Sequence, residues 1–250
     1  MARFDDWAEW MKILILQHET IEHAGAFRHL LDEDGHTTHT VHVNQNEALP
    51  NIENYDGLWV LGGPMDVWQE DEYPWLVAEK AFIRDAVENH GVPYFGLCLG
   101  HQLLADVLGG EVGPSDTPEI GVLDVQLTEV GATTILLDDL PDVFPALQWH
   151  SAEIKRMPAD ATCLATSNAC AVQAMSWGPR AHSLQFHLEV EHDTVSNWNE
   201  IPAYATALTQ ALGKDGANAM QSACQQNMKA FETMSERVYI NWMQTSARTV

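Results

Sequence analysis

The segment Val92-Pro93-Tyr94-Phe95-Gly96-Leu97-Cys98-Leu99-Gly100-His101-Gln102 runs from an apolar, aromatic stretch into a cysteine flanked by glycines. A helix-period run over residues 102–108 follows and stops at Gly109-Gly110. Strand, Gly-x-Cys-x-Gly, helix is the layout of a nucleophile elbow, with sulfur where many hydrolases carry oxygen. Such a turn holds Cys98 in a strained backbone conformation, and side chains two places either side would crowd it. The helix that starts there aims its N-terminal N–H groups and positive dipole end at the sulfur, which favours thiolate. A small buried cysteine in a glycine-rich turn is the plain alternative, and it loses ground because other parts of a site are present.

Upstream, Tyr55-Asp56-Gly57-Leu58-Trp59-Val60-Leu61-Gly62-Gly63-Pro64 is an apolar strand ending in a glycine pair. Two glycines let a backbone N–H approach a ligand closely, as one half of an oxyanion hole requires. The amide of Leu99, directly after the cysteine, is the natural second half. Downstream, Ala181-His182-Ser183-Leu184-Gln185-Phe186-His187-Leu188-Glu189 offers a histidine followed two places later by a carboxylate. In extended chain, residues two apart face the same side. Glu189 can therefore orient the imidazole of His187 and stabilise its charged form.

Together these residues resemble the class I glutamine amidotransferase family, over about residues 12–192. The matching segments are Leu61-Gly62-Gly63-Pro64-Met65, Gly96-Leu97-Cys98-Leu99-Gly100-His101-Gln102 and Gln185-Phe186-His187-Leu188-Glu189. Asp71-Glu72-Tyr73-Pro74-Trp75-Leu76, Pro118-Glu119-Ile120-Gly121 and Gln148-Trp149-His150 look most similar to stand-alone members akin to the glutaminase domain of GMP synthetase. The resemblance implies Cys98 as nucleophile, His187 as general base and acid, and Glu189 as the residue that orients it. Gly63 and Leu99 would supply the oxyanion N–H groups. Gly62, Gln102, Trp149, His150 and Ser151 would hold the glutamyl end of a small-molecule substrate. No cofactor and no metal are required.

Two departures stand out. The family usually has proline between its histidine and glutamate, where this chain has Leu188; proline would stiffen that turn. The related subgroup usually reads Trp-His-Gly-Asp where this chain reads Trp149-His150-Ser151-Ala152-Glu153, so Ser151 adds a side chain where bare backbone is expected. Among the other histidines, His36, His39 and His42 are spaced across a turn and strand in a way that does not favour a ligand set. His18 and His23 follow the first strand, at a sheet edge where sites form in α/β folds, and are candidate substrate contacts. His101 supports the elbow turn. No carboxylate follows His150 at the spacing seen after His187, so His150 reads as a pocket residue rather than a base.

The elements that must position these groups alternate along the chain. Residues 12–16, 40–43 and 58–61 read as strands, and residues 25–31 and 75–89 as helices, ahead of the elbow strand and its helix. This predicts an α/β fold with a mostly parallel central sheet and helices on both faces, flavodoxin-like by the resemblance. Residues 120–127 and 133–183 are richer in short strand and turn signals, and the resemblance implies a small antiparallel excursion there. Residues 1–11 carry Phe4, Trp7, Trp10 and Met11 at helical spacing and predict a helical leader. Residues 12–192 form the expected catalytic domain. Residues 193–250 predict a C-terminal helical extension packed on it, with a helix over 193–212 closed by Gly213. Over residues 217–244, Met220, Cys224, Met228, Phe231, Met234, Val238 and Trp242 make an amphipathic stripe at spacings of three and four. Docking on its own domain is the plain reading; a homodimer contact or a cover for the active site are the alternatives.

At 250 residues the chain can bury roughly three quarters of its extended surface, enough for one full sheet with two helical layers. With 36 acidic and 12 basic residues it repels phosphate backbones and anionic lipid, which excludes nucleic acid and membrane as expected partners. The acids are dispersed rather than gathered in a tail, as on a surface adapted to high salt. No stretch approaches the ~20 apolar residues of a membrane span, and the N-terminus lacks signal-peptide character. Cys98, Cys163, Cys170 and Cys224 show no metal-type pairing. A cytoplasmic setting with reduced thiols is expected.

The expected chemistry is hydrolysis of a γ-glutamyl amide bond, in glutamine or an N-substituted glutamine, through a γ-glutamyl thioester on Cys98. No phosphate loop or synthetase half is recognisable, so ammonia would pass to a separate ammonia-accepting enzyme or be released. A γ-glutamyl peptidase or catabolic hydrolase that does not use glutamine stays open on account of Ser151 and Leu188. A non-enzymatic binding protein on the same fold is the third reading.

Overall fold

The computed structural model describes residues 10–246. In chain order, β1 (Lys12–Gln17) is followed by α1 (Phe27–Glu33), β2 (Thr37–His42), β3 (Gly57–Val60), α2 (Trp75–Arg84), β4 (Tyr94–Leu97) and α3 (Leu99–Val107). The second half holds β5 (Glu111–Leu127), β6 (Val143–Arg156), β7 (Ala161–Thr166), β8 (Ala174–Trp177) and β9 (Ala181–Leu184), then α4 (Thr194–Trp198), α5 (Pro202–Leu212) and α6 (Gly216–Ser246). The sheet order among the described residues is β2-β1-β3-β4-β9-β8-β7-β5-β6. The run from β2 to β9 is parallel, and the run from β9 to β6 is antiparallel.

The parallel strands are apolar on both faces because both are covered. Ile13, Ile15, Trp59, Phe95 and Leu97 project to the side covered by α1 and α6, and Leu14, Leu16, Leu58, Val60 and Tyr94 to the side covered by α2 and α3. The period of two within each strand thus divides one sheet into two cores. In the middle of the chain the expected antiparallel excursion is present; β7 and β8 are short, of 6 and 4 residues, while β5 and β6 run to 17 and 14 residues and pair along most of their length. Pro114 and Pro118 lie within β5, where the register shifts between Pro114 and Glu119. Proline in a strand is tolerated at such irregularities.

The C-terminal stretch differs from one expected helix over 193–212. It divides into α4 and α5 because Pro202 holds Ile201 in an extended conformation, with φ −77° and ψ 117°. α5 closes at Gly213, whose φ is +77°. α6 is one continuous helix of 31 residues, and its stripe Met220, Cys224, Met228, Phe231, Met234, Val238 and Trp242 is buried against the sheet. Trp242 sits edge-on to Trp59 at 5.3 Å and also meets Phe95, while its Nε1–H donates to the Tyr94 carbonyl at 3.2 Å. These side chains pack inside their own fold, as in the plain reading, so a homodimer contact would have to use another face of this helix. The expected leader helix lies outside the described residues except for Trp10 and Met11, which form no helix. No helix among the described residues is long and apolar enough to cross a membrane.

The consequence for function is positional. β1, β3, β4 and β9 lie side by side and parallel, so the segments leaving their carboxyl ends meet at one edge of the sheet, where α/β folds build their sites.

Candidate active site

Cys98 joins β4 to α3 with φ +49° and ψ −99°, a conformation that costs on the order of 1–3 kcal/mol. The neighbouring glycines are required by close approach: a Cβ on Gly100 would lie 2.0 Å from the Val60 carbonyl oxygen, and one on Gly96 would lie 2.6 Å from that of Gly100. The turn is tied down by the Cys98 N–H, which donates to the Leu184 carbonyl of β9 at 2.8 Å, and by Tyr94 Oη, which donates to the Gly100 carbonyl at 2.7 Å. His101 braces the same turn, as expected. Its Nε2–H donates to the Val172 carbonyl at 3.1 Å, and Nδ1 accepts from Ser183 Oγ at 2.8 Å. Burial lowers its pKa to about 3, so it stays neutral.

His187 lies just past β9, held by a backbone pair with Leu147 of β6: its N–H donates at 2.9 Å and its carbonyl accepts at 3.2 Å. Nδ1–H donates to Glu189 Oε1 at 2.6 Å, and the ring lies close enough to Cys98 for the sulfur to act on its charge. Trp198 of α4 meets the imidazole edge-on at 4.7 Å and fixes its plane. Burial by itself lowers the pKa of His187. The charge and hydrogen bond of Glu189, together with the neighbouring Cys98, outweigh that and raise it well above the ordinary value. Glu189 Oε2 in turn accepts the N–H of Leu188 at 3.0 Å. A proline at 188 has no such donor.

Around the sulfur, Gln185 Nε2–H donates to Cys98 Sγ at 3.5 Å, and Gln185 Oε1 accepts from Gln102 Nε2 at 3.1 Å. Gln102 also donates to the Ala152 carbonyl at 3.3 Å. Gly63, Cys98, Gln102, Trp149, His150 and Ser151 line one pocket, so these expected residues converge. Ser151 is exposed and lines the pocket. Leu99 buries its side chain in the core and begins α3 directly after Cys98, so its amide lies in the first turn of that helix. Gly62 is not among the residues that line this pocket; a Cβ on it would fall 2.0 Å from Glu22 Oε1 and 3.4 Å from His187 Cε1.

His18 also departs from its expected place as a substrate contact. It is fully buried, with Nδ1 at 2.9 Å from the Gly62 carbonyl and Nε2 at 2.8 Å from Glu79 Oε1. His23 instead pairs loosely with Glu191 at 3.8 Å. His36 and His39 bond to Met11 N–H and Tyr55 Oη respectively and do not converge with His42. His150 has a carboxylate after all, supplied by the fold rather than by spacing: Glu119 Oε2 of β5 lies 3.3 Å from its Nε2. With Cys170 these two bring ligand-type atoms within 4.8 Å of one another. Glu119 already accepts from Ser167 Oγ at 2.7 Å and Gln173 Nε2 at 2.6 Å, and burial pushes the Cys170 thiol up to about 12.

Two site residues carried no sequence signal of their own. Glu22, buried beyond β1, has Oε2 at 2.8 Å from Tyr204 Oη, which donates to it, and leaves Oε1 without a partner. Burial pushes its pKa up to about 7, against the opposing pull of His187 and the Tyr204 hydrogen bond. Tyr204, on α5, reaches the pocket from the C-terminal extension, and its carbonyl accepts from Trp149 Nε1–H at 3.3 Å. The four-residue step from His18 to Glu22 after a strand is the nearest thing to a sign of the former.

A thiol at a strained elbow, an imidazole beside it and a carboxylate bonded to the imidazole, at a pocket, form the layout of a cysteine hydrolase. A family model for glutamine amidotransferase class-I matches residues 21–197, and the chain belongs to that family. It is 37% identical over 159 residues to the glutamine-hydrolyzing GMP synthase of Aeropyrum pernix, an alignment covering 61% of this chain and 28% of that protein. The chain thus spans little more than a quarter of that relative's length. It is 33% identical to one subunit of the glutamine-hydrolyzing GMP synthase of Sulfolobus acidocaldarius, covering 67% of this chain and 86% of that one. The crystal structure of a glutamine amidotransferase from Thermotoga maritima superposes with a TM-score of 0.83 at 28% identity, covering 94% of this chain and 99% of that one.

Proposed function

We propose that this chain hydrolyses the γ-glutamyl amide bond of glutamine or an N-substituted glutamine, releasing glutamate with ammonia or an amine. The observation that carries the reading is the hydrogen-bonded pair of His187 and Glu189 set against Cys98, which itself lines a pocket. Cys98, its proton taken by His187, attacks the amide carbon. Negative charge develops on the former carbonyl oxygen, toward the N–H groups of Gly63 and Leu99; loss of one such donor typically costs about 3–4 kcal/mol. His187 then protonates the departing nitrogen as the C–N bond breaks, which leaves a γ-glutamyl thioester. Water, deprotonated by His187, hydrolyses it and frees the thiol. Glu189 keeps the imidazole oriented and balances its charge throughout.

Gln102, Trp149, His150 and Ser151 hold the glutamyl end. A relative named as one subunit of a synthase supports a separate enzyme as the taker of ammonia. Ser151 in the pocket lining keeps a second reading, a γ-glutamyl peptidase, in the test. Glutamate release is measured on glutamine, γ-glutamyl-alkylamides and γ-glutamyl dipeptides, with wild type beside Cys98→Ala and His187→Ala. Turnover lost in both variants is expected, and the preferred substrate separates the two readings. Turnover that survives Cys98→Ala sinks the thioester chemistry.

A further inference from the structure

We propose that His18, locked by Glu79, is a positioning residue for the oxyanion loop: it pins the Gly62 carbonyl and thereby turns the Gly63 N–H toward the pocket. This rests on the reading of Gly63 as an oxyanion donor. A carbonyl oxygen only accepts, so the 2.9 Å contact requires His18 Nδ1 to carry a proton. The 2.8 Å contact of Nε2 with Glu79 Oε1 is the reason it does. An ionised Glu79 holds a proton on Nε2 and so keeps the ring doubly protonated; a neutral Glu79 donates its own proton to Nε2 and leaves the ring's proton on Nδ1. Either way Nδ1 remains the donor. Both side chains are fully buried, and Trp75 stacks on the imidazole at 5.7 Å, so the ring has one orientation.

The lever is the planarity of the peptide bond. The Gly62–Gly63 peptide is trans, so its C=O and N–H point in opposite directions. With the carbonyl drawn to His18 in the interior, the N–H faces the other way, the side on which Gly63 lines the pocket beside Cys98. Two successive glycines impose little preference of their own on that peptide, and the loop has no room for a side chain to stiffen it. A Cβ on Gly63 would lie 2.8 Å from His18 Cβ and 3.0 Å from Leu99 Cδ2. The orientation therefore has to come from a bond to the carbonyl, and His18 provides it.

The two bonds of His18 can be separated. His18→Gln extends its amide toward Glu79, mimicking Nε2, and abandons Gly62. His18→Asn paired with Glu79→Gln places an amide N–H where Nδ1 stood and leaves no buried charge. On the preferred γ-glutamyl substrate, His18→Gln is expected to lower kcat by about 100- to 1,000-fold with KM nearly unchanged, since an oxyanion contact is made only in the transition state. The Asn/Gln pair is expected to stay within about tenfold of wild type. Glu79→Leu, which keeps the ring but frees its tautomer, is expected to lower kcat by about tenfold or more at constant KM, and it serves if His18→Gln does not fold. Crystal structures of the variants read the peptide directly: turned in His18→Gln, unturned in the Asn/Gln pair. Equal losses in both, a loss confined to KM, or an unturned peptide with full kcat overturns the proposal. A wild type inactive on every γ-glutamyl amide overturns the proposed function instead, while the peptide orientation in His18→Gln still decides the role of His18.

Discussion

The backbone N–H of Leu188 donates to Oε2 of Glu189 at 3.0 Å, while Oε1 of the same carboxylate accepts from His187 Nδ1 at 2.6 Å. Both oxygens of this carboxylate are held, one of them by the residue at which this chain departs from the usual family pattern. A hydrogen bond to a charged group is worth about 1.5–3 kcal/mol. Leu188→Pro, which removes the donor, is expected to lower kcat by at least about tenfold. Leu188→Ala keeps the N–H and is expected to lose about 2–5 kcal/mol of stability, from the cavity it leaves, with kcat largely retained. Equal kcat values for the proline variant and wild type would show that the amide contributes nothing.

Glu22 makes stability depend on pH. Its pKa rises from the ordinary 4.5 to about 7 in the folded state, so the folded chain holds a proton that the unfolded chain has released. Between those values the folded state binds more protons, and stability falls as pH rises. The raised pKa of His187 acts in the same direction above pH 6.5. Glu22→Gln cannot titrate. The difference between wild type and this variant in urea unfolding is therefore expected to change by up to about 3 kcal/mol between mildly acidic and neutral pH. A difference that is constant across that range would contradict it.

The net charge of −24 is dispersed over the chain, so self-repulsion should weaken the folded state at low ionic strength. The screening length falls from about 10 Å in 0.1 M salt to about 3 Å in 1 M salt. A melting temperature that rises by several degrees between those conditions is expected, in potassium chloride rather than a strongly excluded salt. A flat profile would mean that the acids are already balanced locally.

Trp242 is fully buried between Trp59 and Phe95. Trp242→Ala is expected to cost about 3–5 kcal/mol in equilibrium unfolding. Because the stripe it belongs to is internal, the oligomeric state at native pH should be unchanged by the milder Met228→Leu. A shift in sedimentation coefficient for Met228→Leu would return this helix to an interface.

Much of the candidate site was legible in the chain because its central parts are local. Gly96, Cys98 and Gly100 form one turn, and His187 with Glu189 needs only an extended backbone to share a face. The period-two strands and the α6 stripe were readable for the same reason, since their patterns repeat within a single element. What the sequence could not supply was every contact closed across the fold: Tyr204 on Glu22, Glu119 on His150, and His18 reaching both Gly62 and Glu79. Periodicity reports which residues are buried, not which of them meet. Those meetings follow from the order in which β1, β3, β4 and β9 lie side by side, which no local pattern encodes. By itself the sequence determined the chemical groups and the elements that carry them. The tertiary structure decided how the buried polar atoms were paired, because a buried donor or acceptor must find a partner and the nearest one is set by packing.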